Sequence, residues 1–379
     1  MVREDRSAKM YDSIIVGAGI WGCSVARLLA DRGKRVLVLE RRDAVGGNCR
    51  AEIDPATGIE LHLYGSHIFH TSDERVWNFL RRFSEFNGYR HQVLAKHDGR
   101  CYFLPVGLAL VNAFFRVNLT PAELPAFLAA KRDASIAEPK NFEEQALALA
   151  GPELYEAFFE HYTAKQWRRD PRELSADLLR RLPVRATYDV GYFADPHQGI
   201  PAAGYRKMFE AMLDSPRIEV RLNTEFRLAD LRDVPTYYSG APDRLFDYRF
   251  GALPWRSLRF ETSREAVRDF QGTSVVNYCD ADVPYTRIHE FKHYHPEWRE
   301  AFDAPETVIT REFPQNWSPG DEPYYPVNTP EAETLMQRYR EAATKFPGLI
   351  LGGRLGNFRY YDMDKAVAAA IDEVERRTR

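Results

Sequence analysis

Apolar residues first gather at Ile14-Ile15-Val16, a short unbroken run of the kind a buried strand makes. The run passes straight into Gly17-Ala18-Gly19-Ile20-Trp21-Gly22 and a stretch with helical spacing. Apolar residues return at Val36-Leu37-Val38-Leu39, closing on the acid Glu40. The pattern predicts strand, Gly-rich turn, helix, strand and carboxylate. In such a unit Gly17 permits the tight turn, Gly19 lets the backbone approach a pyrophosphate, and Gly22 allows close helix packing; Ile20 and Trp21 belong to the same turn. The helix N-terminus offers amide donors, and Glu40 can accept from a ribose hydroxyl. A dinucleotide site is the reading.

Beyond this unit, short alternating runs around Val93 and at Tyr102-Phe103-Leu104 predict strands. From residue 108 to 182 the texture turns helical, with Thr120-Pro121 and Glu138-Pro139 read as helix starts and Gly151-Pro152 as a boundary. Residues 218–220, 236–239 and 274–278 look strand-like, and Pro-rich loops are expected from there through Pro330. A helix over 331–345, a strand over 349–351 and a final helix over 363–379 close the chain. A nucleotide lobe begun at one end and finished at the other is how many large flavoproteins are threaded.

Composition narrows the class. At 379 residues the chain is expected to form two or three lobes. A net charge of -3 argues against a general nucleic-acid binder, so any basic surface must be local. No apolar run approaches the roughly 20 residues a bilayer needs, and the charged first nine residues read as a disordered leader. Cys23, Cys49, Cys101 and Cys279 are scattered without a CxxC, which fits reduced thiols in the cytoplasm and no metal site.

Glu40 is followed by Arg41-Arg42-Asp43-Ala44-Val45-Gly46-Gly47-Asn48. A Gly-Gly just past the ribose carboxylate resembles the second signature of FAD proteins of the glutathione reductase and amine oxidase group, so FAD is favoured over NAD. Further blocks are more specific: Tyr64-Gly65-Ser66-His67-Ile68-Phe69-His70-Thr71, Lys165-Gln166-Trp167, Gln198-Gly199-Ile200-Pro201, Phe246-Asp247-Tyr248-Arg249-Phe250-Gly251, Asp282-Val283-Pro284-Tyr285-Thr286-Arg287, Asp321-Glu322-Pro323-Tyr324-Tyr325-Pro326 and Gly352-Gly353-Arg354-Leu355. Together, over residues 10–370, they resemble the bacterial UDP-galactopyranose mutase family.

The resemblance implies an α/β fold: a Rossmann-like FAD-binding domain with an inserted helical bundle and an antiparallel β-sheet domain. It divides the chain into FAD-binding segments at 10–86, 201–245 and 331–379, sheet segments at 87–107, 183–200 and 246–330, and a helical bundle with a mobile lid at 108–182. It also implies interconversion of UDP-galactopyranose and UDP-galactofuranose by a cytoplasmic homodimer. FAD is needed in its reduced form, with N5 as nucleophile at the anomeric carbon. The leaving group is a diphosphate, and Arg181 and Arg287 match the two arginines that hold it, where a guanidinium fork suits phosphate oxygens.

By position in the matched blocks, His91, Tyr162, Thr163, Trp167, Tyr192, Asn277, Tyr325 and Tyr360 fall to the substrate. Arg41, Gly46, Gly47, Asn48, His67, Ile68, Arg354, Asp362 and Met363 fall to the flavin with the glycine turn and Glu40. His70 is expected at the reactive edge of the ring, without a proton-transfer role. His91 stands where some relatives have Asn, and Gly107 where Asn-type residues are common; both are expected to bear on sugar-side contacts. The segment 168–184 is dense in charge and carries Pro171 and Pro183, so it is expected to be loose until a diphosphate engages Arg181. The alternative is an FAD-dependent amine oxidase-like oxidoreductase sharing the nucleotide lobe, which has no need of paired diphosphate arginines. A silent flavin binder would lack Arg287, Trp167 or the Tyr pair, and all are present.

Overall fold

The computed structural model describes residues 11–179 and 184–378. Five short strands form a parallel sheet in the order Leu349–Leu351, Thr236–Tyr238, Ser13–Val16, Val36–Leu39, Ile218–Arg221. Because strand side chains alternate, one face sends Ile15, Val36, Val38, Tyr237 and Ile350 into a core with the helices Ile20–Asp31, Tyr205–Leu213 and Met363–Thr378. The other face sends Ile14, Val16, Leu37 and Tyr238 against Met336 and Tyr339 of the helix Pro330–Thr344. Covering both faces is what near-continuous apolar strands require. The strands and helices expected at the two ends of the chain are found within a residue or two of their expected limits.

The second sheet has seven strands, in the order Tyr325–Pro326, Trp255–Glu265, Thr307–Asn316, Arg287–Glu290, Val275–Tyr278, Val93–His97, Arg100–Leu104. It departs from the antiparallel expectation at one point: Val275–Tyr278 runs parallel to Val93–His97, with Val276 opposite Leu94. The long excursion between them gives the chain room to return in the same direction. Arg287–Glu290 and Thr307–Asn316 occupy a region read as Pro-rich loop. Trp255–Glu265 pairs with Thr307–Asn316 along its whole length, setting Arg259 opposite Phe313 and Glu261 opposite Arg311. Trp255–Glu265 is charged and half-exposed beyond its first three residues, so it lacks the clean alternation that marks a strand in sequence.

The insertion between the sheets is helical, as expected, but its helices start later than the Pro marks. Glu123 accepts from both the backbone and the hydroxyl of Thr120, which makes a turn there, and the helix runs Leu124–Lys131. Asn141 caps Phe142–Ala150 by accepting from the Glu144 amide. After Pro152–Leu154 the chain makes a π turn over Tyr155–Glu160 before the helix His161–Trp167. No helix among the described residues is long and apolar enough to cross a membrane.

Candidate functional site

The glycine turn is closed by its own backbone. A Cβ on Gly22 would lie 2.0 Å from the Gly17 carbonyl oxygen, and one on Gly17, whose φ is +98°, 2.2 Å from Ser239 Oγ. Gly19 bridges Gly46, and a Cβ on Gly47 would fall 2.8 Å from Gly19 Cα, so the two Gly motifs meet. Glu40 is buried and accepts from the amides of Ala18 and Arg42, tying the turn to the strand end as well as standing where a ribose would be met. Trp21 packs beneath Gly352 and Gly353, at the start of a short helix from the other end of the chain. Arg41 pairs with Glu322, and Asn48 accepts from Arg42.

These contacts separate two roles. Gly22→Ala is expected to cost about 2–3 kcal/mol of stability through overpacking, read as a lower midpoint in thermal or urea unfolding. A Cβ on Gly19 meets only Gly47 Cα, at 3.7 Å. Gly19→Ala should therefore fold normally and lose bound flavin, measured by absorbance after purification. Equal flavin retention in wild type and Gly19→Ala would remove the turn from the cofactor site.

A cavity of about 680 Å³ lies where the two sheets and the helical insertion meet. His67, Ile68, Asn48, Arg354, Asp362 and Met363 line it from the nucleotide lobe. Asp362 immediately precedes Met363–Thr378, and its carbonyl accepts from Ala366. Tyr162, Thr163 and Trp167 line it from the helix after the π turn, and His70, His91, Tyr192 and Asn277 close one end. Tyr325 and Tyr360 stack at 5.5 Å with Arg354 against both rings. The Oδ1 of Asn277 is buried and has no partner among the described residues, a polar atom aimed at something the chain does not supply.

Besides Arg354, two arginines of the seven-stranded sheet line this space. Arg287 hydrogen-bonds Tyr162 and lies 3.5 Å from Glu312, which also takes a bond from His289. Burial pushes the Glu312 carboxyl up, but Arg287, His289 and Thr286 outweigh it and hold it at about 2. Glu312 is thus an ion that fixes Arg287 without using all of its donors. Arg256, missed by the sequence reading, is the second. It is 5% exposed, gives one bond to Asn316, and leaves Nε and Nη2 without partners. Burial, then Arg168 and Arg169, push it down to about 10. A buried cation crowded by other cations is a site that wants an anion. Nothing in the sequence marks Arg256 out from the many surface arginines.

His70 stacks on Phe193 at 3.7 Å and bonds Asp195 through Nδ1. His67 bonds the Gly65 carbonyl, and burial, then its cationic neighbours, push it down to about 3. Gly107 is not on the cavity wall. It precedes the helix Leu108–Phe115 and touches the Arg185 backbone, where a Cβ would sit 2.9 Å from a carbonyl, so its smallness serves packing and not sugar contact. Lys165 gives its ammonium to the carbonyls of Tyr278, Asp280, Val283 and Tyr285, at 2.8, 2.8, 3.0 and 3.4 Å.

Arg181 lies outside the described residues, with its neighbours at 180, 182 and 183. The described part of the expected lid is better anchored than its charge suggests. Leu174 and Leu179 are buried in the helical core, and short turns at Pro171–Glu173 and Ala176–Leu178 are capped by Asp170 and Ser175. Two leucines spaced five apart among charges were the overlooked signal.

Comparison with known proteins gives the same outline. A family model described as UDP-galactopyranose mutase matches residues 157–360, and one described as an NAD(P)-binding Rossmann-like domain matches 15–83. The dTDP-fucopyranose mutase of Escherichia coli is 40% identical, covering 96% of this chain and 97% of that protein. A probable UDP-galactopyranose mutase of Klebsiella pneumoniae is 42% identical, covering 94% and 92%. Among solved structures, a reduced UDP-galactopyranose mutase superposes with a TM-score of 0.76 at 14% identity, covering 97% of this chain and 95% of that one.

Proposed function

This chain belongs to the UDP-galactopyranose mutase family, and we propose that it interconverts the pyranose and furanose forms of a sugar nucleotide, UDP-galactose in the first place, on bound and reduced FAD. The observation that carries the reading is the single cavity in which Arg287 and Arg256 face the flavin-side residues His67, Ile68 and Met363. The closed glycine cradle and buried Glu40 fit an adenine dinucleotide with its ring system toward that cavity. When bound, reduced FAD supplies a nucleophilic electron pair at N5 for the anomeric carbon, so the ring can reopen and close without net oxidation.

The protein's part is position and charge. Arg287 and Arg256 stand ready for the oxygens of a leaving diphosphate, and Arg181 joins them by its match to the family motif. Tyr325 and Tyr360 offer hydroxyls beside them, while Tyr162, Thr163 and Trp167 suit the nucleoside side. Asp195 holds His70 in one orientation against Phe193 beside the sugar. Aromatic walls exclude water, which would otherwise hydrolyse an activated sugar.

The 40% identity to a dTDP-fucopyranose mutase gives a second reading, in which thymine and a 6-deoxy sugar replace uracil and galactose. Anaerobic incubation of the dithionite-reduced protein with each sugar nucleotide at equal concentration, followed by chromatography, decides between them. Conversion of UDP-galactofuranose to the pyranose is expected; conversion of neither, with oxygen consumed on an amine instead, would return the chain to the oxidase reading.

A further inference from the structure

Lys165 turns away from the cavity that Gln166 and Trp167, its neighbours on the helix His161–Trp167, help to line. Its ammonium lies 2.8 Å from the carbonyl oxygens of Tyr278 and Asp280 and 3.0 Å from that of Val283. These bonds engage all three of its hydrogens, and the Tyr285 oxygen stands at 3.4 Å. A neutral amine has two hydrogens and would turn its lone pair on one of these oxygens. The seat suits the ammonium ion.

The four carbonyls belong to the connection between the strands Val275–Tyr278 and Arg287–Glu290. Its ends are tied: the Cys279 amide donates to Lys96 at 3.0 Å and the Thr286 amide to Glu312 at 2.9 Å. Between them a single backbone bond, from Val283 to the Asp280 carbonyl at 3.4 Å, holds it internally among the described residues. Carbonyl oxygens turned to one point repel one another unless a cation sits there. Just past this loop Arg287 stands opposite Asn277 on the paired strand, and both line the cavity. The helix also meets Arg287 directly, through the Tyr162 hydroxyl. That bond uses a guanidinium donor for which a bound phosphate would compete. Lys165 ties the same two walls together with no group that a ligand needs.

We propose that Lys165 is a positioning residue for substrate, holding Arg287 at the distance from Tyr162 and Trp167 that a nucleoside diphosphate spans. Such a ligand touches both walls, with its phosphates at Arg287 and its base at the helix. Without the ammonium the carbonyls spread, and binding must first bring the two walls back into register. Lys165 touches no ligand and acts through Arg287. The role rests on the sugar-nucleotide reading for its ligand, while the seat itself does not.

The test is calorimetric binding of UDP to the oxidised holoprotein. Lys165→Ala should bind UDP about tenfold more weakly, with its flavin retained, because a loosened wall must be ordered on binding. The variant opens a seat of four carbonyls that a small cation can refill. Methylammonium chloride should restore most of the affinity. Tetramethylammonium chloride at the same ionic strength has no N–H to give and should restore none. A side chain that only stiffened the helix through its methylene stem would not be replaced by a free ammonium ion.

A mutant cycle checks the route through Arg287. In the background Arg287→Met with Glu312→Gln, adding Lys165→Ala should weaken the remaining UDP affinity by less than about twofold, since no guanidinium is left to place. Wild-type affinity in Lys165→Ala, a full loss in both backgrounds, or a loss that methylammonium leaves untouched would overturn the inference. If Lys165→Ala does not fold, Lys165→Gln takes its place. It keeps two donors for the seat and should bind UDP more weakly than the wild type; equal binding would again overturn the role. If the wild type binds no UDP, the functional reading has failed, and amide exchange over residues 278–287 then tests the seat. Exchange should be faster in the variant and slowed by methylammonium, and unchanged exchange would remove the seat as well.

Discussion

Turnover of UDP-galactopyranose is expected to be absent while the bound flavin is oxidised and to appear on anaerobic reduction with dithionite. The reaction changes ring size and leaves every carbon at its original oxidation level, so the reductant is not consumed. Displacement at the anomeric carbon needs an electron pair, which reduced flavin offers at N5 and oxidised flavin does not. Glu312 is occupied by His289 and Arg287. Equal rates in the two redox states would overturn the proposed chemistry while leaving the family assignment standing. Re-oxidation with air should abolish turnover reversibly, which separates a redox requirement from damage by dithionite.

Arg287→Met is expected to lower kcat/KM by roughly a hundredfold or more, since each charge-assisted bond to a phosphate oxygen is worth about 1.5–3 kcal/mol. It also strands Glu312 in the protein interior, and breaking a buried pair costs about 3–5 kcal/mol of stability. The double variant Arg287→Met with Glu312→Gln separates these effects. It should recover most of the unfolding midpoint and none of the turnover. Recovery of both would make Arg287 a structural cation only. Arg287→Lys should keep part of the activity, because an ammonium cannot fork to two oxygens.

The parts of this molecule that were readable in sequence are those where backbone geometry dictates residue type. Gly17 and Gly22 are legible because no side chain fits against Ser239 or the Gly17 carbonyl, and the short parallel strands because both their faces are buried. Arg287 was legible through its motif. Arg256 was not, because the signal is burial without partners, and burial is a property of the assembled sheet. The strand that carries it was hidden for a related reason: most of Trp255–Glu265 is held by its ladder to Thr307–Asn316 and not by an apolar face. The π turn at Tyr155–Glu160 left no mark beyond an ordinary helical pattern, yet it directly precedes the helix that carries Tyr162, Thr163 and Trp167.

The ammonium of Lys165, seated among four carbonyls of the 278–285 loop, has a consequence for how this chain can vary. It joins the helix bearing Trp167 to the loop that leads into Arg287, so opposite sides of the substrate cavity share one rivet. The helical insertion is therefore not an interchangeable cassette. A chimera that imports residues 108–179 from a relative inherits the wrong socket unless residues 278–287 travel with it, and segments far apart in the gene must be exchanged as one unit.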